Sequence, residues 1–256
     1  MKRRVIIYVL MSIFAIVFVV SAIQIYRIQS EYKKGVDEYR YLYDQAIVIE
    51  SGDPSGSIKE SAAEKLLGFS INFNEMYSTN SDYVGWIFIP DTEINYPMVV
   101  SYDNDYYLHR TFLKEYNFAG TLFLDCLTYN LDFFNTIIYG HRMNNGSMFA
   151  DLEKYLLEPY YSEHKTIYIF SKNELLVYEV FTCRKVELDD ECYAIGFADS
   201  DDFYRWVLRM KGDSNYSTSL APTDNSNVIT LSTCVRNDDT MRIILQAQLV
   251  DRYPLT

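Results

Sequence analysis

The chain has 256 residues, 49% of them hydrophobic and 16% aromatic, and a formal charge of −12. That composition can fill a core and excludes a disordered chain. Removing the N-terminal cations Lys2, Arg3 and Arg4 takes the charge to −15, which excludes nucleic acid as the expected partner, because phosphate binding needs a basic surface.

Residues 5–26 contain no charge. As a helix they span roughly 33 Å at ~1.5 Å per residue, close to a hydrocarbon core of ~30 Å. The basic residues before them direct the N-terminus to the cytoplasm and the rest outside. No small-x-small site ends the run, so it reads as an uncleaved signal anchor. The expected organisation is a cytoplasmic tail at 1–4, a transmembrane anchor at 5–26, a stalk helix and linker at 27–57, and a folded domain at 58–256. A fragment starting at Ser57 is expected to fold alone.

Residues 51–57 are a linker by composition, and 61–76 read as a helix with an imperfect apolar stripe. Short strands follow at 84–90, 94–100, 120–125 and 136–140. A helix is expected at 148–157, strands at 166–170 and 175–181, and a helix at 201–211 inside a long excursion. Residues 227–250 form a hairpin of two β-branched runs. Many short strands with inserted helices predict a closed, mainly β barrel with added helices.

Period-2 alternation sets the faces of the hairpin. Thr230, Ser232 and Cys234 share one face. On the return strand Met241, Ile243, Leu245, Ala247 and Leu249 are apolar, with Arg242, Gln246 and Gln248 opposite. A thiol therefore ends one strand near an arginine that begins the next, an arrangement that can activate a cysteine and hold its oxyanion. The alternative is a small buried thiol. His141 follows the strand at 136–140, where a rigid scaffold can aim it. Histidine can exchange protons near neutral pH, cysteine can attack a carbonyl, and arginine can donate to an oxyanion. His109 and His164 read as solvated.

The four cysteines, at 126, 183, 192 and 234, include no CxxC pair, and the three histidines are scattered. No zinc spacing results, and no metal or cofactor is expected. Free thiols are the preferred reading, with a Cys183–Cys192 link across a turn left open. The acidic run at 199–202 reads as a solvated loop or helix cap.

The chain resembles the class B sortases. The TLSTC run at 230–234 looks like the family's TLxTC signature, Arg242 matches the arginine of the next strand, and the YGH run at 139–141 looks like the histidine motif. Runs at 84–90 (VGWIFIP), 94–97 (INYP), 103–108 (DNDYYL) and 120–125 (GTLFLD) are similar to further class B motifs. The resemblance covers about residues 58 to 253. It implies an eight-stranded sortase-type β-barrel with N-terminal helices and a helix before the cysteine strand. It implies a transpeptidase with Cys234 as nucleophile, His141 as acid and base, and Arg242 as oxyanion donor. Ser232, Thr233, Asn104, Leu108 and Tyr193 match substrate-contacting positions. The implied partners are surface proteins with a C-terminal sorting signal and an amine of peptidoglycan or its lipid-linked precursor. Two rival readings are a cysteine peptidase without transfer and a catalytically silent, anchored binding module.

Overall fold

The computed structural model describes residues 2–48, 67–223 and 227–255. The expected linker at 51–57 lies outside them. Helix α1 (Lys2–Ala46) is followed by β1 (Ile47–Val48), β2 (Ser70–Ile71), α2 (Phe73–Thr79), β3 (Tyr83–Phe88) and β4 (Asn95–Val100). Next come β5 (Leu122–Leu124), β6 (Asn135–Tyr139), α3 (Glu158–Glu163), β7 (Thr166–Phe170) and β8 (Glu174–Glu187). Helix α4 (Ser200–Gly212) precedes the final hairpin of β9 (Val228–Val235) and β10 (Asp238–Pro254). Short 3-10 turns lie at Tyr106–His109, Ala150–Leu156 and Glu191–Tyr193.

Eight strands close a barrel in the order β10-β8-β7-β3-β4-β5-β6-β9, the architecture the motifs imply. Two seams are parallel, β4 with β5 and β6 with β9. A parallel pair needs a long crossover, and the one from β6 to β9 carries α3, β7, β8 and α4. Ile243, Leu245 and Ala247 of β10 join Leu231 of β9 in the main core. The opposite face of the hairpin is also covered. Ile244 and Val228 pack with Phe203, Trp206, Val207 and Met210 of α4, whose spacing is one face of a helix. Thr230, Gln246 and Gln248 are therefore buried and must bond to one another and their neighbours. Gln246 donates to Thr230, and Thr230 to Asn135.

Helix α1 does not divide at the membrane boundary: it is one helix of 45 residues. Its N-terminal part is long and apolar enough to cross a membrane and exposes its apolar side chains. Its C-terminal part packs on the barrel, where Tyr39, Leu42 and Ala46 enter the main core. The Tyr39 hydroxyl donates to the Gly120 carbonyl at 2.5 Å, and Asn117 Nδ2 donates to the Glu31 carbonyl at 3.0 Å. The inner face of the expected stalk is thus part of the folded unit.

Two local expectations need correction. Of the expected helix at 61–76, residues 61–66 lie outside the described residues; in the remainder β2 occupies Ser70–Ile71 and pairs with β1, and α2 begins only at Phe73. Gly68, at φ 76°, takes the left-handed backbone that ends a helix, and the Asn72 side chain caps α2 by accepting from the Glu75 N–H at 3.1 Å. His164 is not simply solvated. Its ring stacks on Tyr160 at 4.0 Å and its Nδ1 bonds to the Tyr160 carbonyl at 2.8 Å. The acidic run at 199–202 caps α4, with Asp199 accepting from the Asp202 N–H at 2.9 Å.

Candidate active site

Three neighbouring strands carry the three chemical groups. In the β9–β10 ladder Arg242 lies directly opposite Cys234, so their side chains share a face. In the parallel β6–β9 ladder Tyr139 pairs with Ser232, and the Gly140 N–H donates to the Ser232 carbonyl at 3.2 Å. Two residues further along each chain are His141 and Cys234. The register thus brings the imidazole level with the thiol, and the guanidinium flanks it on the other side. All three border one cleft of about 360 Å³.

Gly140 makes the junction possible. A Cβ there would lie 2.6 Å from Phe149 Cδ2 and would also run into Leu122. Only glycine lets the chain pass between these side chains and deliver His141 at the end of the strand.

His141 is held by a short hydrogen bond: its Nε2 lies 2.7 Å from the Leu108 carbonyl oxygen. A carbonyl only accepts, so Nε2 carries a proton and Nδ1 is the nitrogen left to act as base in the neutral ring. Burial lowers the proton affinity of this ring below the ordinary histidine value; the Leu108 carbonyl opposes the shift and His109 adds to it. His109 itself is exposed, yet its ring stacks 5.9 Å from that of His141. Arg242 is anchored through Nη1, which donates to the Asp239 and Met241 carbonyls, each at 2.9 Å. These bonds tie one arm of the guanidinium to the first residues of β10 and leave its other donors without a partner among the described residues.

The expected substrate positions converge on the same cleft. Asn104, Leu108, Tyr193, Ser232 and Thr233 all border it. The Tyr193 and Ser232 hydroxyls bond to each other at 2.8 Å. Thr233 differs from the others: alternation turns its side chain to the opposite face from Cys234, and its hydroxyl is buried without a partner among the described residues. Tyr193 is carried on a well-tied turn. Asn135 Nδ2 donates to the Cys192 and Ala194 carbonyls at 3.0 and 2.8 Å, and Trp206 Nε1 donates to the Glu191 carbonyl at 2.8 Å. Arg184 grips Asp190 with two bonds of 2.8 and 2.6 Å. That bidentate pair holds the Asp190 carboxyl below the usual carboxylate range, against the opposing effect of burial.

Sequence reasoning left out Phe123, Tyr139 and Leu188, which also border the cleft. Tyr139 had a legible signal, lying two residues before His141 and thus on its face. Leu188, beyond the end of β8, had none. Cys126 is a partly buried thiol at the end of β5 whose backbone N–H donates to Asn104. All four cysteines are free, which answers the open Cys183–Cys192 pairing. Arg236 is exposed in the β9–β10 turn.

Similarity to known proteins agrees with this geometry. The Sortase domain profile matches residues 87–250. The chain is 34% identical to Sortase B of Listeria monocytogenes over 228 residues, covering 87% of this chain and 92% of that protein. It is 31% identical to Sortase B of Staphylococcus aureus over 182 residues, 70% of this chain and 74% of the relative. Among solved structures, a sortase B of Bacillus anthracis superposes with a TM-score of 0.71 at 28% identity, covering 88% of this chain and all of that one. A sortase B–substrate complex of Staphylococcus aureus superposes with a TM-score of 0.66 at 30% identity, covering 70% of this chain and 84% of that one. The chain belongs to the sortase family of cysteine transpeptidases, as a class B member.

Proposed function

We propose that this sortase cleaves a C-terminal sorting signal after threonine and transfers the new acyl end to a peptidoglycan amine or its lipid-linked precursor. The observation that carries the reading is the convergence of His141, Cys234 and Arg242 from three adjacent strands on one cleft. The Cys234 sulfur, as thiolate, attacks the threonine carbonyl carbon, and a C–S bond forms. The carbonyl oxygen takes the negative charge and receives hydrogen bonds from Arg242. His141 in its protonated form gives a proton to the leaving nitrogen as the C–N bond breaks. A thioacyl-enzyme remains. The acceptor amine then attacks the thioester, His141 takes its proton, and the thiolate departs as the new amide forms.

In this reading Asn104, Leu108, Tyr193 and Ser232 contact the sorting peptide, with Thr233 supporting the cleft edge. The apolar part of α1 anchors the enzyme in the cell membrane, with the N-terminus in the cytoplasm and the barrel outside.

The test is mass spectrometry of the enzyme with pooled LPxTG-like and NPxTx-like peptides, with and without triglycine. The expected product is a peptide cut after threonine and joined to triglycine, absent in Cys234→Ala. Cleavage with water alone, whatever the amine, would favour the peptidase reading. No cleavage, with Cys234 inert to alkylation, would favour a binding module.

A further inference from the structure

Asp125 follows β5 beneath the cleft, with 8% of its surface exposed. Its Oδ2 accepts from Asn104 Nδ2 at 2.9 Å and from the Tyr139 hydroxyl at 3.0 Å. Its Oδ1 accepts from the Leu127 N–H at 2.9 Å. The other end of the Asn104 carboxamide is also committed, because Oδ1 accepts from the Cys126 N–H at 2.9 Å. A carboxylate offers only acceptors and a backbone N–H only a donor, so the orientation of the carboxamide is forced. One Nδ2 hydrogen goes to Asp125, and the second has no partner among the described residues. Tyr139 gives its only proton to Asp125 and keeps its oxygen lone pairs. Asn104 and Tyr139 both border the cleft.

We propose that Asp125 is a positioning residue that sets the hydrogen-bond polarity of this cleft, presenting Asn104 as a fixed donor and Tyr139 as a fixed acceptor. A bound peptide must then bring an oxygen acceptor to Asn104 and an N–H or O–H group to Tyr139. Asp125 does not reach the reacting atoms and acts only through these two side chains. Fixing both in advance lowers the ordering cost of binding. The inference rests on the peptide-cleaving reading of the cleft for its ligand, although the arrangement of the side chains does not depend on that reading.

The first variant is Asp125→Asn, of the same shape but with a donor where one acceptor was. Losing a bond to a charged group predicts a fall in kcat/KM of about 10- to 100-fold, mainly through KM, for whichever peptide the pooled screen selects. The rate of Cys234 alkylation by iodoacetamide should stay within about twofold of the parent, a bound of the size seen for sites without direct coupling. The second variant adds Asn104→Asp. Its new carboxylate accepts from both the Cys126 N–H and the carboxamide introduced at position 125, so the bonds are rebuilt with reversed polarity. This double variant should regain thermal stability but not kcat/KM, because an acceptor now faces the cleft. Recovery of both would mean a merely structural role and would overturn the proposal. A substrate-free measurement decides the positioning itself: in 15N-labelled protein one Asn104 side-chain hydrogen should exchange slowly, and lose that protection in Asp125→Asn. Equal, fast exchange of both in the parent protein sinks the idea. If no peptide is turned over at all, the peptide-cleaving reading fails, and the exchange measurement still decides whether Asp125 orients Asn104.

Discussion

Cys234 and Arg242 are direct cross-strand partners, so the spacing between thiol and guanidinium is set by the backbone ladder rather than by two flexible side chains. Replacing Arg242 with lysine keeps the charge but loses the fork that can be held by the start of β10 and still donate to an oxyanion. Arg242→Lys is expected to lower kcat by about 10²–10³, the usual loss for an oxyanion donor, with peptide cleavage rate as the measurement. Near-normal turnover would remove the arginine from the mechanism. His141 gives a pH prediction. Burial makes the folded ring release its proton more readily than a free histidine, whose value is 6.5. As pH falls, the unfolded chain therefore takes up this proton first. The contribution is fully present above about 6.5 and is lost as pH falls through the lower folded value. Thermal melts between pH 7.5 and 5 should show a smaller decline in His141→Gln than in the parent. An unchanged decline would show that other groups account for it.

Among the elements, the site depends on two ends. The end of β6 delivers His141 only because Gly140 has no side chain. Gly140→Ala would force Leu122 and Phe149 apart, with a cost of about 1–3 kcal/mol for overpacking. Peptide cleavage should fall by more than stability alone explains, because His141 shifts with the backbone; denaturant melts and kinetics on the same protein check this. The C-terminal half of α1 is the second dependence. It supplies Tyr39, Leu42 and Ala46 to the core, and β1 after it pairs with β2. A fragment from Ser57 loses all of these contacts. Burial of large apolar side chains contributes about 1.5–3 kcal/mol each, so that fragment should melt well below one that begins near Arg27. Equal melting temperatures would show that the helix contacts contribute little.

Across the molecule as a whole, one helix joins the apolar N-terminal segment to the barrel without a break. Its packed half also bonds to Gly120, and the N–H of Thr121 next to it donates to the Tyr107 carbonyl at 3.2 Å. The loop carrying Leu108, the partner of His141, is therefore tied to the same helix that leaves the membrane in the proposed topology. A proteinase added outside intact protoplasts should digest the barrel and leave a short N-terminal fragment protected. Protection of the barrel instead would reverse the orientation. The formal charge of −12 is in keeping with a peptide rather than a phosphate polymer as the ligand of the cleft.

The barrel, the apolar N-terminal segment, the helix at α4, and a thiol, an imidazole and a guanidinium as candidate chemical groups were all readable in the chain before any fold was known. These are local signals, because alternation, helical spacing and short motifs need only near neighbours. The family resemblance singled out Ser232, Asn104, Leu108 and Tyr193, and the fold places all four at the border of one cleft. Three features emerge only once the chain is folded: Tyr39 and Leu42 of α1 belong to the core, Ser70–Ile71 of the expected 61–76 helix pair as β2 with β1, and Asp125 ties Asn104 to Tyr139. Each depends on which distant segments meet: α1 with the 106–121 loop, β1 with β2, β5 with the 103–105 turn. Chain closure over tens of residues selects those meetings by packing and by the need to satisfy buried polar groups, and no short window of sequence carries that information.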